Sequence, residues 1–263
     1  MSNLTLRIIY GSIYVAIMVT AVVFGNPYFV ALLGLLAFFA LNELAVIASK
    51  KQTQFIFLLP FVLAGIIVYL NVTGSKPVEL LHFVLALVLQ WLSIGVLYYL
   101  FRIKSKIQYV AAAFYIWLPL AGLAFWFTQY PESHTSYILF FLICIWLYDS
   151  MAYTVGRLIG KTPIFPNVSP KKTVEGAFGG ALVTIAVMFL LNKFWLELPQ
   201  NALLLATVVV FFGTFGDFVE SYMKRKLGIK DSGTIIPGHG GILDRIDSLL
   251  LAALPYIVII ILF

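Results

Sequence analysis

The sequence predicts an all-α polytopic membrane protein, with about nine transmembrane helices and its amino terminus in the cytoplasm. Three observations carry that expectation. Of 263 residues, 62% are hydrophobic and only 11% charged, whereas a soluble domain is about half apolar and about a quarter charged. Apolar runs of roughly the 20 residues that span a bilayer recur along the whole chain. The basic residues, finally, crowd into alternate breaks between those runs. The same figures exclude disorder, collagen-like repeats and a disulfide-stapled secreted module. A single cysteine, Cys144, lies inside an apolar run, so it forms no internal disulfide and no cysteine cluster can hold zinc.

Taken in order, the runs cover residues 8–24, 28–47, 54–71, 78–100, 107–128, 136–156, 175–192, 201–220 and 248–262. The first follows Arg7 and resembles a signal peptide. It is long for such a segment, has no clear small-x-small cleavage site and is followed at once by a second span, so it reads as a retained helix. The second run carries Asn42 and Glu43 near its inner end; Lys50 and Lys51 are in reach to pair with that carboxylate.

With the amino terminus inside, one face carries Arg7, Lys50, Lys51, Arg102, Lys104, Lys106, Arg157, Lys161, Lys171, Lys172, Lys224, Arg225, Lys226, Lys230 and Arg245. That is 15 of the 17 basic residues, and only Lys76 and Lys193 fall on the other. An added or omitted span would scramble this asymmetry, so the positive-inside rule supports both the count and the direction. The net charge of +6 is then a cytoplasmic-face property, suited to anionic lipid or to an anionic substrate from the cytosol.

The acids are distributed unevenly. Glu79, Glu132 and Glu197 fall in or near short external loops, whereas Asp149, Glu175, Asp217, Glu220, Asp231, Asp244 and Asp247 lie on the cytoplasmic side. Residues 1–135 therefore read mainly as scaffold helices and 136–263 as catalytic helices and cytoplasmic loops, within a single membrane domain. No linker or internal repeat interrupts it, and the lack of an inverted repeat disfavours a secondary transporter.

Three polar segments carry the chemistry. Asp149, in Tyr148-Asp149-Ser150, sits inside or at the end of the sixth run, where a carboxylate is costly unless paired, hydrated or metal-bound; the plainer reading is a structural salt bridge. Ser169-Pro-Lys171-Lys172-Thr173-Val-Glu175 reads as a helix start with Thr173 at the N-cap. Lysines beside a helix N-terminus suit a phosphate, although an ordinary positive-inside anchor has the same composition. The third segment runs from Gly216 to Asp247. Asp217, Glu220, Ser221 and Lys224 share a helical face. Pro237-Gly-His239-Gly240-Gly241 cannot be helical, and its glycines let backbone approach a ligand. Asp244 and Asp247, three apart, can both reach one divalent ion. Mg²⁺ is held by one or two carboxylates together with substrate phosphates and water. Carboxylates, lysines, an arginine and a glycine loop together describe metal-assisted phosphoryl or nucleotidyl transfer.

This third segment resembles the signature of the phosphatidate cytidylyltransferase family, also called CDP-diacylglycerol synthases. The match comprises Ser221, Lys224-Arg225, Lys230-Asp231, Pro237-x-His239-Gly240-Gly241 and Asp244-Arg245-x-Asp247. Asp149-Ser150 with Ala152-Tyr153, and Ser169-Pro170 with Lys172-Thr173, resemble upstream segments of that family, with Val174 where many members carry an aromatic. The resemblance implies condensation of CTP with phosphatidic acid to CDP-diacylglycerol and pyrophosphate, in a bacterial inner membrane, with the active site on the cytoplasmic side. It implies Mg²⁺ on Asp217, Asp244, Asp247 and Asp149, with room for a second cation. Lys224, Arg225, Lys230 and Arg245 would hold the triphosphate or the lipid phosphate. Lys172 and Thr173 would form the opposite wall, while Ser221 supplies a hydroxyl and Asp231, Gly240 and Gly241 belong to the substrate-binding loop. For His239, metal ligation, phosphate contact and hydrogen bonding within the loop stay open, with general base ranking lower. A homodimer is expected, and no nucleic-acid partner.

Two other activities compete. A CTP-dependent polyprenol or dolichol kinase would share the metal and the cytoplasmic face but release CDP, and the full Ser221–Asp247 pattern argues against it. A cation-coupled transporter would place acids near the bilayer midplane on several helices, whereas these crowd towards one face.

Overall fold

The computed structural model describes residues 3–47, 80–102, 108–129, 134–236 and 240–263. Among them the chain is mostly helical: α1 (Asn3–Phe24), α2 (Tyr28–Ile47), α3 (Leu80–Arg102), α4 (Gln108–Gln129), α5 (His134–Ile159), α6 (Val174–Leu191), α7 (Ala202–Lys226) and α8 (Leu243–Leu262). The expected span at 54–71 lies outside the described residues. Among the described residues five stretches are long and apolar enough to cross a bilayer: Ala111–Thr128, Thr135–Ile159, Val174–Leu196, Ala202–Lys226 and Leu243–Leu262. Shorter apolar stretches occupy Ile8–Phe24, Tyr28–Leu44 and Val84–Gly95. Such helices make an integral membrane protein, since every backbone amide in lipid must be satisfied within its own segment.

The helical expectation needs one correction. Between α5 and α6 the chain forms an antiparallel hairpin of β1 (Pro163–Phe165) and β2 (Ser169–Thr173), with Pro163 opposite Thr173 and Phe165 opposite Ser169. Three prolines, at 163, 166 and 170, explain why this stretch is not helical: each lacks an amide donor and pushes its predecessor towards extended backbone. A π-helical turn, Asn192–Leu196, continues α6. The Asn192 side chain closes it, accepting from the Leu198 amide at 2.9 Å and donating to the Leu198 carbonyl at 3.2 Å.

The chain divides into two compact units. One comprises Met1–Pro131 with Ile229–Ile246, the other Glu132–Gly228 with Asp247–Phe263. In the first, α2 packs against both α1 and α4, and α3 packs against α4. Leu33, Ala37, Ala40, Leu41 and Leu44 of α2 recur at three- and four-residue spacing and are buried, as an inward helical stripe requires. Phe29 meets Phe127 of α4 edge-on, ring centres 4.9 Å apart.

In the second unit α5 and α6 pack closest. A β-carbon added at Gly180 would stand 2.6 Å from the Ala152 amide nitrogen, and one at Gly176 would stand 2.7 Å from the Ala152 carbonyl. Small residues that let two backbones approach in this way are how helices associate in lipid, where apolar burial supplies little drive. Gly216 does the same for α7 against α8: a β-carbon there would stand 2.5 Å from the Asp247 carbonyl. Tyr256 of α8 donates to the Tyr137 carbonyl at 2.8 Å, so its buried hydroxyl is satisfied.

Candidate active site

In the second unit the hairpin is fixed to α7 at two points. The Phe165 ring stacks on Phe218 with centroids 3.9 Å apart, and Arg225 Nε donates to the Val168 carbonyl at 3.1 Å. Glu175 secures the other side, accepting from the amides of Lys161 and Thr162 at 3.0 and 3.1 Å and from the Thr162 hydroxyl at 2.9 Å. Thr173 is the N-cap of α6, as its place in the sequence predicts. Its extended backbone turns the chain into the helix, and its Oγ1 accepts the Gly176 amide at 3.2 Å.

This frame delivers Lys172, one residue before the cap, to the carboxylate of Asp217 on α7, and the two form an ion pair. Asp247, Asp149 and Glu220 also act on the lysine's charge. Burial pulls Lys172 below the ordinary lysine value and Lys224 pushes the same way, while the three acids oppose them. On the same face of α7, Ser221 donates to Asp217 Oδ1 at 3.2 Å. One turn on, Glu220, only 1% exposed, pairs with Lys224 four residues later. A buried carboxylate demands such a partner, so Lys224 neutralises its own helix as well as contributing positive charge to the site. Asp149, Lys172, Asp217, Lys224 and Asp247 thus share one electrostatic neighbourhood in this unit.

The first unit holds the glycine loop and Asp244. Ile236 and Gly240 exchange backbone hydrogen bonds at 2.9 and 3.1 Å. Gly240 takes a left-handed φ of 87°, a conformation that disfavours any side chain. Asp244 Oδ2 accepts from the amides of Gly241 and Ser232, at 2.8 and 2.9 Å, so the loop sets the direction of this carboxylate. His239 falls outside the described residues. Lys230, Asp231 and Arg245 are exposed, and the Arg245 carbonyl accepts from the Tyr14 hydroxyl at 3.4 Å.

Lys50 and Lys51, which the sequence places in reach of Glu43, lie outside the described residues. The described partners of Glu43 lie elsewhere. Its carboxylate accepts from the Ser232 hydroxyl at 2.8 Å and from the amides of Ile242 and Leu243 at 2.7 and 3.0 Å. A glutamate inside an apolar run was the visible signal; the identity of its partners, about 190 to 200 residues away, was not.

Among the described residues no three His, Cys, Asp or Glu side chains form a ready-made metal cage. The acids at hand offer only carboxylate oxygens, which fits a hard divalent cation that completes its shell with substrate phosphates and water.

Across residues 5–263 the chain matches the model of a family described as the cytidylyltransferase family. It is 44% identical over 163 residues to a phosphatidate cytidylyltransferase of Staphylococcus epidermidis, covering 60% of this chain and 62% of the relative. It is 39% identical over 162 residues to one of Staphylococcus aureus, with the same two coverages. A phosphatidate cytidylyltransferase of Aquifex aeolicus is 37% identical over 183 residues, 68% of each chain. The chain thus spans about three fifths of the length of the staphylococcal relatives it matches.

Proposed function

The chain belongs to the cytidylyltransferase family, and from that membership we propose that it condenses CTP with phosphatidic acid, giving CDP-diacylglycerol and pyrophosphate. The observation that carries this reading is the neighbourhood of Lys172, where a lysine beside a capped helix start meets Asp217 and feels Asp149, Asp247 and Lys224. Two anionic reactants must be brought together there, and such a set of fixed charges suits the task.

A phosphate oxygen of phosphatidic acid attacks the α-phosphorus of CTP. A new P–O bond forms, the bond from that phosphorus to the bridging oxygen of the β-phosphate breaks, and pyrophosphate departs with the electron pair. The attacking oxygen is already ionised, so no strong general base is required. Asp217, Asp244, Asp247 and Asp149 are the residues that would hold Mg²⁺, with a second cation accommodated by the same acids. When bound, the ion would neutralise phosphate charge and polarise the reacting phosphorus. Lys172, Lys224, Arg225, Lys230 and Arg245 bind the triphosphate and the lipid phosphate, and Ser221 orients Asp217. Thr173 holds the start of α6, where amides favour an anion. Gly240 and Gly241 let the loop backbone approach substrate, Asp231 flanks it, and His239 contacts phosphate or metal.

The distribution of basic residues supports nine spans with the amino terminus in the cytoplasm and the site on that face, in a bacterial inner membrane. A homodimer is the proposed assembly. The deciding experiment supplies purified protein in detergent with phosphatidic acid, Mg²⁺ and CTP labelled on the α-phosphorus. Label in the lipid fraction together with released pyrophosphate is the expected result. CDP release without lipid label would replace this reading with a kinase.

A further inference from the structure

Glu43 is 4% exposed and takes no part in the chemistry set out above. Its surroundings are nevertheless built for a carboxylate. Ile242 and Leu243 lead into α8, and their amides are among those that a helix start leaves without an intrahelical acceptor. Glu43 Oε1 takes the first and Oε2 the second, while Oε2 also accepts the Ser232 hydroxyl. Negative charge at a helix N-terminus is favourable in addition to the hydrogen bonds themselves. Two glycines make room for it. A β-carbon at Gly233 would stand 2.8 Å from Glu43 Oε1, and one at Gly241 would run into both Glu43 Oε2 and Ser232 Oγ.

The backbone gripped by Glu43 is the backbone that aims Asp244. Ser232 gives its hydroxyl to Glu43 and its amide to Asp244 Oδ2. Gly241, whose amide is the second donor to Asp244, immediately precedes Ile242, whose amide goes to Glu43. We propose that Glu43 is a positioning residue for Asp244: it fixes residues 232 and 241–243 so that the Asp244 carboxylate is held in one direction. The proposal rests on the assignment of Asp244 to the metal shell. Groups that orient a metal-bound carboxylate are commonly worth tenfold or more in metal affinity or activity.

The test compares wild type with Glu43→Gln, which preserves shape but turns one acceptor oxygen into a donor. In detergent, the unfolding temperature is followed as Mg²⁺ is added, and cytidylyl transfer is measured alongside. Glu43→Gln is expected to raise the Mg²⁺ concentration for half-maximal thermal protection by about tenfold or more and to lower kcat, leaving KM for phosphatidic acid near wild type. A lower unfolding temperature with wild-type Mg²⁺ dependence and wild-type kcat would make Glu43 a purely structural residue and overturn the proposal. If Glu43→Gln does not fold, Glu43→Asp and Ser232→Ala decide instead: the same shift in Mg²⁺ dependence supports positioning, and a wild-type curve in both refutes it. Wild-type protein that transfers no cytidylyl group fails the functional reading itself, an outcome distinct from a variant that matches an active wild type.

Discussion

Lys172, the penultimate residue of a short strand, places its ammonium against the carboxylate of Asp217 on α7. The pair joins two of the three polar segments that the sequence singles out, and it does so within one unit of the chain. Removing the lysine leaves Asp217 among Asp149, Asp247 and Glu220 without its nearest positive charge. Lys172→Ala is therefore expected to raise the apparent KM for CTP or for phosphatidic acid by about tenfold, the scale of one charge-assisted contact to a phosphate from a partly exposed lysine. Initial rates across both substrates test this, and unchanged values for both would remove Lys172 from the binding wall.

Burial lowers Lys172 from the ordinary lysine value of 10.5. Its charge is consequently lost at a lower pH than that of a solvated lysine, and the alkaline limb of kcat/KM should fall early. In Lys172→Arg the guanidinium stays charged throughout this range, so the limb should move to higher pH. The effect on stability has a defined sign. Between the folded and unfolded pKa values the folded protein binds fewer protons, so lowering the pH through that window costs stability. A pH series of unfolding temperatures for wild type and variant checks both effects.

Asp244→Asn keeps one oxygen to accept an amide but gives up the negative charge. Turnover should fall by orders of magnitude, because a carboxylate that holds a metal has no neutral substitute. Unfolding in detergent should shift by only a few degrees, because both amides bond the same oxygen and an Asn oxygen there keeps them, losing only the charge assistance of about 1 kcal/mol. Activity close to wild type would exclude Asp244 from the metal shell.

Two glycines offer a controlled contrast. A β-carbon at Gly228, with φ of 73°, meets nothing within 4 Å, so Gly228→Ala should cost only the left-handed backbone penalty of about 1–2 kcal/mol. At Gly241 a β-carbon meets Ser232 and Glu43, and Gly241→Ala should cost about 1–3 kcal/mol from overpacking and impair transfer as well. Unfolding temperatures and rates measured side by side separate the two effects.

Gly180 lies where α6 touches the backbone of Ala152. Gly180→Leu should force α5 and α6 apart and lower the unfolding temperature sharply. Gly34, with nothing within 4 Å of its β-position, should accept the same residue with little change. Equal effects at both sites would remove the close α5–α6 approach as a source of stability.

Helix positions were legible because hydropathy acts over twenty residues at once; the runs at 28–47 and 107–128 lie within a residue of α2 and α4. The start of α6 was legible for a local reason, since an N-cap threonine and its amide partner lie three residues apart. The docking of the hairpin was not, because it depends on Phe165 finding Phe218 and Val168 finding Arg225, more than fifty residues along the chain. Glu220 and Lys224 form the i, i+4 pair that their shared helical face predicts. Glu43 was visible as an anomaly, and its role depended on amides that only the folded chain brings to it.

The separation between Glu43 and its donors sets an order of events during synthesis. The glutamate is made about 190 residues before Ser232 and about 200 before Leu243. Throughout that interval its carboxylate lacks the three donors that surround it in the finished protein. A chain that reaches only Gly241 leaves that carboxylate without the Ile242 and Leu243 amides, and a buried carboxylate short of donors is costly, so the pocket around Glu43 is completed only when the start of α8 joins it.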